Sequence, residues 1–134
     1  MSLAKACYAL LPIGYMGVLF YASSLTGDDP RLRLGISDKV LHAGAYAVLA
    51  PLWYIALRRG WGVSPWKATA LAWLISVAYG ITDEIHQSFV PRRDPSLSDL
   101  VADGVGAGAS LLALTLARFG WARRRTHPDR PRRS

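Results

Sequence analysis

Four long apolar blocks decide what this chain can become, because a soluble fold has nowhere to hide them. Ala6 to Leu25 and Leu100 to Phe119 each match the roughly 20 mostly apolar residues that a bilayer crossing needs. The second holds only Asp103 and Arg118 as ionisable groups. Val40 to Leu57 carries only His42, and Ala68 to Val90 is free of ionisable side chains until Asp83, Glu84 and His86. A soluble helical bundle would have to bury all of these blocks with too few polar residues to solvate its exterior. The expectation is therefore an all-α polytopic membrane protein with four transmembrane helices, forming one domain over residues 1–121. A basic tail over 122–134, rich in arginine and proline and without apolar periodicity, reads as disordered.

The first block also has the look of a signal peptide, since Lys5 precedes it and Ala22-Ser23-Ser24 ends it. A cleavable apolar core runs about 7 to 15 residues, however, and this one is longer, so it reads as a retained helix. Cys7 is the single cysteine, which excludes an internal disulfide.

A formal charge of +7 would suggest nucleic acid in a soluble protein, but here its placement describes topology. With the N-terminus inside, the inner segments hold Lys5, Arg58, Arg59, Lys67, Arg118, Arg123, Arg124, Arg125, Arg130, Arg132 and Arg133. The outer loops hold Arg31, Arg33, Lys39, Arg92 and Arg93. That excess of basic residues is the positive-inside pattern, and it puts both termini in the cytoplasm of a multi-pass membrane protein. Trp61, Trp66 and Trp121 then fall at the inner interface. No fold or aromatic interleaving accompanies the tail arginines, so nucleic acid is not expected as a partner; membrane lipids are.

Local signals agree with these spans. Gly27, Gly60 and Gly120 are placed to close the first, second and fourth helices, and Ser64-Pro65 to cap and start the third. Pro12 and Pro51 lie inside spans, where they are expected to kink them. Gly104, Gly106, Gly108 and Ser110 give small-xxx-small spacings in the fourth helix, suited to close approach by a neighbour within the chain or, through Gly104 and Gly108, by a second copy in a homo-oligomer. Sliding the chain by 61 positions aligns Pro30-Arg31 with Pro91-Arg92 and Ser37-Asp38 with Ser98-Asp99, and puts His42 opposite Asp103. This suggests two parallel helix-pair repeats about an axis along the membrane normal.

Eight of the nine carboxylates, all but Asp129, lie in or beside the outer loops. Positive-inside does not require this, because acidic residues contribute little to orientation. Helical spacing puts Asp83 and Gln87 on one face beside Glu84, Asp99 and Asp103 on another, and Lys39, His42 and Tyr46 on a third. Asp99 and Asp103 stand near a helix N-terminus, where negative charge is favoured. Asp83, Glu84, Lys39 and His42 stand at the unfavourable pole of their own helices. Their mutual complementarity predicts that Lys39, with Arg92 or Arg93, faces Asp83 and Glu84 across the bundle. Asp28, Asp29 and Asp94 read as solvated loop residues, and His86 and His127 have no evident partner.

At these residues the sequence resembles the VanZ-like family of small bacterial membrane proteins. The likeness lies in Asp38-Lys39-Val40-Leu41-His42 with Tyr46, in Thr82-Asp83-Glu84-Ile85-His86-Gln87 followed by Pro91-Arg92-Arg93, and in Ser98-Asp99-Leu100-Val101-Ala102-Asp103-Gly104 with Gly108. Asp103 stands where the family commonly has Asn. The resemblance implies a cell-envelope role, the family being named for a protein associated with resistance to the glycopeptide teicoplanin. It leads to the expectation that Lys39, Arg92 and Arg93 contact an anionic or polar group of a lipid-linked cell-wall component or a glycopeptide. Asp83, Glu84, Asp99 and Asp103 would hold those cations and bind hydroxyl or amide groups, with His42, Tyr46 and Gln87 completing the site. No cofactor and no metal ligand set is assigned.

Two rival readings stay open. A membrane-embedded enzyme acting on a lipid headgroup would use His42 with Asp83 or Glu84 in acid-base chemistry, and several of the carboxylates could bind a divalent metal for it, though no H-E-x-x-H, nucleophile elbow or P-loop is present. A small transporter would need coupling residues near the midplane. Asp83 instead falls roughly 26 Å along the helix from Trp66, near the far interface of a roughly 30 Å hydrocarbon core.

Overall fold

The computed structural model describes residues 3–30 and 35–126, and these contain helices and loops with no strand. Helix α1 spans Leu3–Ser23, and α2 spans Asp38–Ile55, prolonged by a π-helical turn over Ala56–Gly60. Helix α3 spans Pro65–Gln87 and α4 spans Leu97–Thr126. Arg31 and Arg33, and the tail from His127 onward, lie outside the described residues.

The contacts between helices fix their directions. Along α2 and α4 the paired residues rise together, Lys39 with Asp99 and His42 with Asp103, with Ala43 against Gly106, so the two helices run parallel. Helices α1 and α3 are parallel too, since Tyr79 donates to the Met16 carbonyl at 2.6 Å and His86 meets Ser24 at 3.0 Å. Between α3 and α4 the order reverses, with Trp73 donating to the Gly104 carbonyl at 3.0 Å and Glu84 meeting Ser96. The chain therefore alternates in direction. One end of the bundle gathers the acidic residues, and the other gathers Lys5, Arg58, Arg59, Lys67 and Arg118.

What is buried is small or polar, and what is exposed is large and apolar. Ala50, Ala56, Ala68, Ala72 and Ala107 pack with Leu49, Leu111, Tyr46 and Tyr54, while Leu112, Leu116, Phe119, Val101 and Val105 on α4 point outward. Two helical segments, Asp38–Gly60 and Leu97–Trp121, are long and apolar enough to cross a bilayer, and only 28% and 22% of them are buried inside the chain. A core helix of a soluble protein would be mostly covered. The apolar part of α1, Cys7–Ser23, is shorter than the sequence alone suggests.

Helix ends follow the expected signals only in part. Gly60 does end the π turn after α2, and Pro65 does open α3 behind Ser64, although the Ser64 hydroxyl makes no capping bond. Gly120 does not end α4, which continues to Thr126. A helical glycine costs only about 1 kcal/mol relative to alanine, and the flanking alanines and arginines are good helix formers that offset it. Gly27 lies past the end of α1 and serves another purpose: a Cβ there would come within 1.7 Å of the Arg92 carbonyl oxygen, so the first and third loops touch through backbone.

The largest helix–helix interface joins α2 to α4. At its centre a Cβ on Gly106 would lie 2.0 Å from the Ala43 carbonyl oxygen, a clash with backbone that no rotamer relieves. Gly104 and Gly108 face Val77 and Trp73 of α3. The small-residue stripe thus receives helices of its own chain. Gly106→Leu is expected to prevent recovery of folded, monodisperse protein from detergent. Gly120→Ala, at a position with open space around it, is expected to leave the melting temperature unchanged or raise it slightly. Size-exclusion chromatography with a thermal melt checks both.

Candidate functional site

The acidic end of the bundle brings residues from three helices to one place because α2 and α4 start there and α3 ends there. Asp99 and Lys39 lie in the first turns of α4 and α2, and His42 and Asp103 one turn deeper. His42 Nδ1 sits 2.9 Å from Asp103 Oδ1, with the Asp103 side chain fully buried. Asp103 can be this deep only because α3 offers no side chain opposite it. A Cβ on Gly80 would approach Asp103 Oδ2 within 2.8 Å.

The expected partnership of Lys39 with Asp83 and Glu84 is not what the fold makes. Lys39 Nζ lies 3.5 Å from Asp99 on the adjacent α4, with most of its own side chain exposed. Glu84 is answered by a helix terminus rather than a cation. Its Oε2 accepts the Ser96 backbone N–H at 2.7 Å, just ahead of α4. A carboxylate at the unfavourable pole of its own helix is thus at the favourable pole of the next one. Asp83 accepts from the Gln87 side-chain amide at 2.9 Å, one turn along α3.

The arginines do not enter the carboxylate cluster either. Arg93 donates through Nε to the Leu25 carbonyl at 3.1 Å and through an Nη to the Ala22 carbonyl at 3.2 Å, closing the C-terminal end of α1. Arg92 pairs with Asp28 in the first loop. Arg92 has φ +61°, and its carbonyl rests on Gly27, whose N–H donates to Pro91 at 3.3 Å. The first and third loops are clasped together. Asp28, outside the helices, is held below the usual carboxylate range by the Thr26 hydroxyl and local backbone, with Arg92 adding to this. Its share of the clasp is therefore complete at neutral pH and lost only as pH falls through that lowered value.

Several oxygens at this end are buried without a hydrogen-bond partner: Asp83 Oδ1, Glu84 Oε1, Asp103 Oδ2 and the Tyr46 hydroxyl. Asp99 Oδ1 has only the distant Lys39 ammonium. Each of Asp83, Glu84 and Asp103 thus has one oxygen fixed by a protein donor and the other free. Tyr46 lies within electrostatic reach of all three and is 2% exposed. The ligand atoms of His42, Glu84 and Asp103 lie within 4.8 Å of one another, as do those of Asp38, His42 and Asp99.

A cavity of about 430 Å³ adjoins this cluster. Val18, Leu19, Ala22 and Leu25 of α1 and its following loop form an apolar wall. Asp38, His42, Tyr46, Asp83, Gln87 and Arg93 form the polar side. The arrangement suits an amphipathic occupant. Sequence reasoning missed two contributors, the Ser96 amide and Gly80; His86, for which it found no partner, instead ties α3 to α1, with its ring 4.4 Å from that of Phe20 and a contact to Ser24. Gly80 was legible in principle, as a glycine in α3 one turn before Glu84.

The His42–Asp103 contact is the strongest polar link between α2 and α4 and can be measured directly. In a double-mutant cycle with His42→Asn and Asp103→Asn, thermal or denaturant melts in detergent are expected to give a coupling of about 1–3 kcal/mol. Strictly additive losses would mean that the pair does not interact.

Comparison with known proteins places these residues in context. A family model described as VanZ/LLP1 matches residues 4–118. The chain is also 32% identical over 96 residues to the uncharacterized protein C11E3.10 of Schizosaccharomyces pombe (strain 972 / ATCC 24843). That alignment takes in 71% of this chain but 57% of the yeast protein, so the chain spans little more than half of that relative's length. No solved structure matches.

Proposed function

This chain belongs to the VanZ/LLP1 family, and from that premise we propose that it is a four-span envelope protein that binds an amphipathic, lipid-linked component at its acidic end. Membrane residence follows from the family and from two apolar helices long enough to cross. The four-span reading is supported by the alternating helix directions and by the exposed apolar residues on α1 and α3, among them Leu10, Leu11, Ile13, Val18, Leu74 and Ile81. The gathering of basic residues at the end that holds the α2–α3 turn and the end of α4 supports cytoplasmic termini and an outward-facing site in a bacterial inner membrane. The parallel repeat gains support from the contacts of α2 with α4, which recur at offsets close to the 61 positions that relate the two halves.

The observation that carries the binding proposal is the cavity with one apolar wall and one polar wall. A lipid chain would lie along Val18, Leu19 and Leu25. A headgroup bearing hydroxyl or amide groups would satisfy the free Asp83 oxygen and the Tyr46 hydroxyl, both on residues that line the cavity, while Arg93 offers positive charge. Lys39 and Arg92, more exposed, contribute to the approach of an anionic group. A lipid-linked cell-wall intermediate has this chemistry, and reduced access of a glycopeptide to such a component would give teicoplanin-type resistance.

A second reading, a membrane-embedded enzyme acting on a lipid headgroup, is favoured by the buried His42–Asp103 pair beside the Tyr46 hydroxyl, since imidazole held by a carboxylate can move a proton. His42, Asp83 and Glu84 are its candidate catalytic groups. Turnover of a headgroup would distinguish it from binding alone.

Expression in a glycopeptide-sensitive, single-membrane bacterium tests the proposal, with membrane levels matched by immunoblot. Selective protection against teicoplanin over vancomycin is expected for the wild type and is expected to be lost in Glu84→Gln. In parallel, a fluorescent polyprenyl-diphosphate-linked sugar is expected to bind the purified chain in nanodiscs and to bind Leu19→Trp, which fills the apolar wall, at least tenfold more weakly. Absence of both effects in well-expressed protein would contradict an envelope-binding role.

A further inference from the structure

We propose that the acidic end holds a divalent transition-metal ion, zinc or manganese, ligated by His42, Glu84 and Asp103. The three side chains come from α2, α3 and α4, and their ligand atoms converge within 4.8 Å. Two observations beyond the cluster itself point to an ion. The Tyr46 side chain, 2% exposed and within electrostatic reach of Glu84 and Asp103, carries a hydroxyl without a hydrogen-bond partner. Glu84, moreover, is prepared as a metal ligand is: its Oε2 is fixed by the Ser96 amide and its Oε1 has no partner, as Asp103 Oδ2 has none, and an ion would take the place of the proton between His42 Nδ1 and Asp103 Oδ1.

Charge favours the same conclusion. Lys39 balances Asp99, and among the described residues no cation is paired with Glu84, while Asp103 faces only the imidazole. Glu84 and Asp103, beside an Asp83 held only by the Gln87 amide, need compensation at the rim of a bilayer, and a divalent ion with a neutral imidazole supplies it for those two. An imidazole among the ligands selects against magnesium and calcium, which prefer all-oxygen sites, and suits zinc or manganese. The Asp38–His42–Asp99 group shares the same histidine but is more open to solvent, so the deeper group is the site assigned. This inference does not rest on lipid binding, and either can fail alone.

The test uses the full chain in detergent, stripped with chelator and dialysed against zinc or manganese chloride. Elemental analysis is expected to find about one ion per chain, and X-ray absorption a shell of nitrogen and oxygen only, with one imidazole. Glu84→Gln and Asp103→Asn are each expected to weaken binding at least tenfold, His42→Asn to remove the imidazole signature, and Asp28→Asn in the exposed loop to change nothing. Folded wild type that retains well under one ion, or an imidazole signature that persists in His42→Asn, would overturn the assignment. Should the buried variants fail to fold, the wild-type absorption spectrum decides alone, since a shell without imidazole excludes this site. Binding of the fluorescent lipid by metal-free wild type would separate the two proposals, leaving each to its own measurement.

Discussion

Everything at the acidic end depends on how closely α2 and α4 approach. Gly106 lets the α4 backbone rest on the Ala43 carbonyl. One turn toward the acidic end, that proximity brings His42 and Asp103 within hydrogen-bond distance. Bulky side chains at the crossing would separate the helices and leave a carboxylate and an imidazole buried apart, each with its desolvation uncompensated. Packing and polarity are therefore one constraint, and Gly80 extends it to α3 by making room for Asp103. In a lipid environment, where apolar surface gives helices little reason to associate, close backbone contact and interhelical hydrogen bonds supply the cohesion. The exposed Leu and Phe side chains of α4 are then ordinary lipid-facing residues rather than a defect.

Much of the helical plan was legible in the sequence. Apolar block length and the Ser64-Pro65 and Gly60 signals mark α2, α3 and the start of the chain's turns, and the 3.6-residue period collects Lys39, His42 and Tyr46 on one face. The 61-position alignment even set His42 against Asp103, the pair that meets. What could not be read was which charge answers which. Each side chain was judged against the dipole of its own helix, whereas Glu84 is stabilised by the N-terminus of its neighbour, a relation that exists only after α3 and α4 have packed. Arg93 likewise serves backbone carbonyls at the end of α1, and backbone groups carry no sequence signal. Glycine misled for a related reason. At Gly27 it marks contact between backbones rather than a helix end, and at Gly120 it marks nothing structural, whereas Gly106 marks the close approach that its spacing suggested, so its meaning is set by tertiary neighbours.

The two ends of the bundle divide the labour. Arg58 donates to the Val63 carbonyl at 2.6 Å and Arg118 lies over the Tyr54 ring, so the basic end closes the α2–α3 turn and anchors α4 with groups suited to a phospholipid interface. The acidic end instead carries free acceptors, a half-apolar cavity and a clasped pair of loops. Stability alone does not account for that arrangement, since apolar residues of similar size would pack the same space without orphaned oxygens. The proposed binding of an amphipathic component would account for it, and a position at one rim of a membrane would give such a site access to one compartment.

That placement is the central claim and can be measured most directly by sidedness. In a Cys7→Ser background, Asp94→Cys and Gly62→Cys would report the acidic-end and basic-end loops to a membrane-impermeant maleimide in intact cells. Labelling of position 94 without permeabilisation, and of position 62 only after it, is the predicted result. Labelling of both from one side, or of position 62 alone from outside, would contradict an outward-facing acidic site on a four-span bundle.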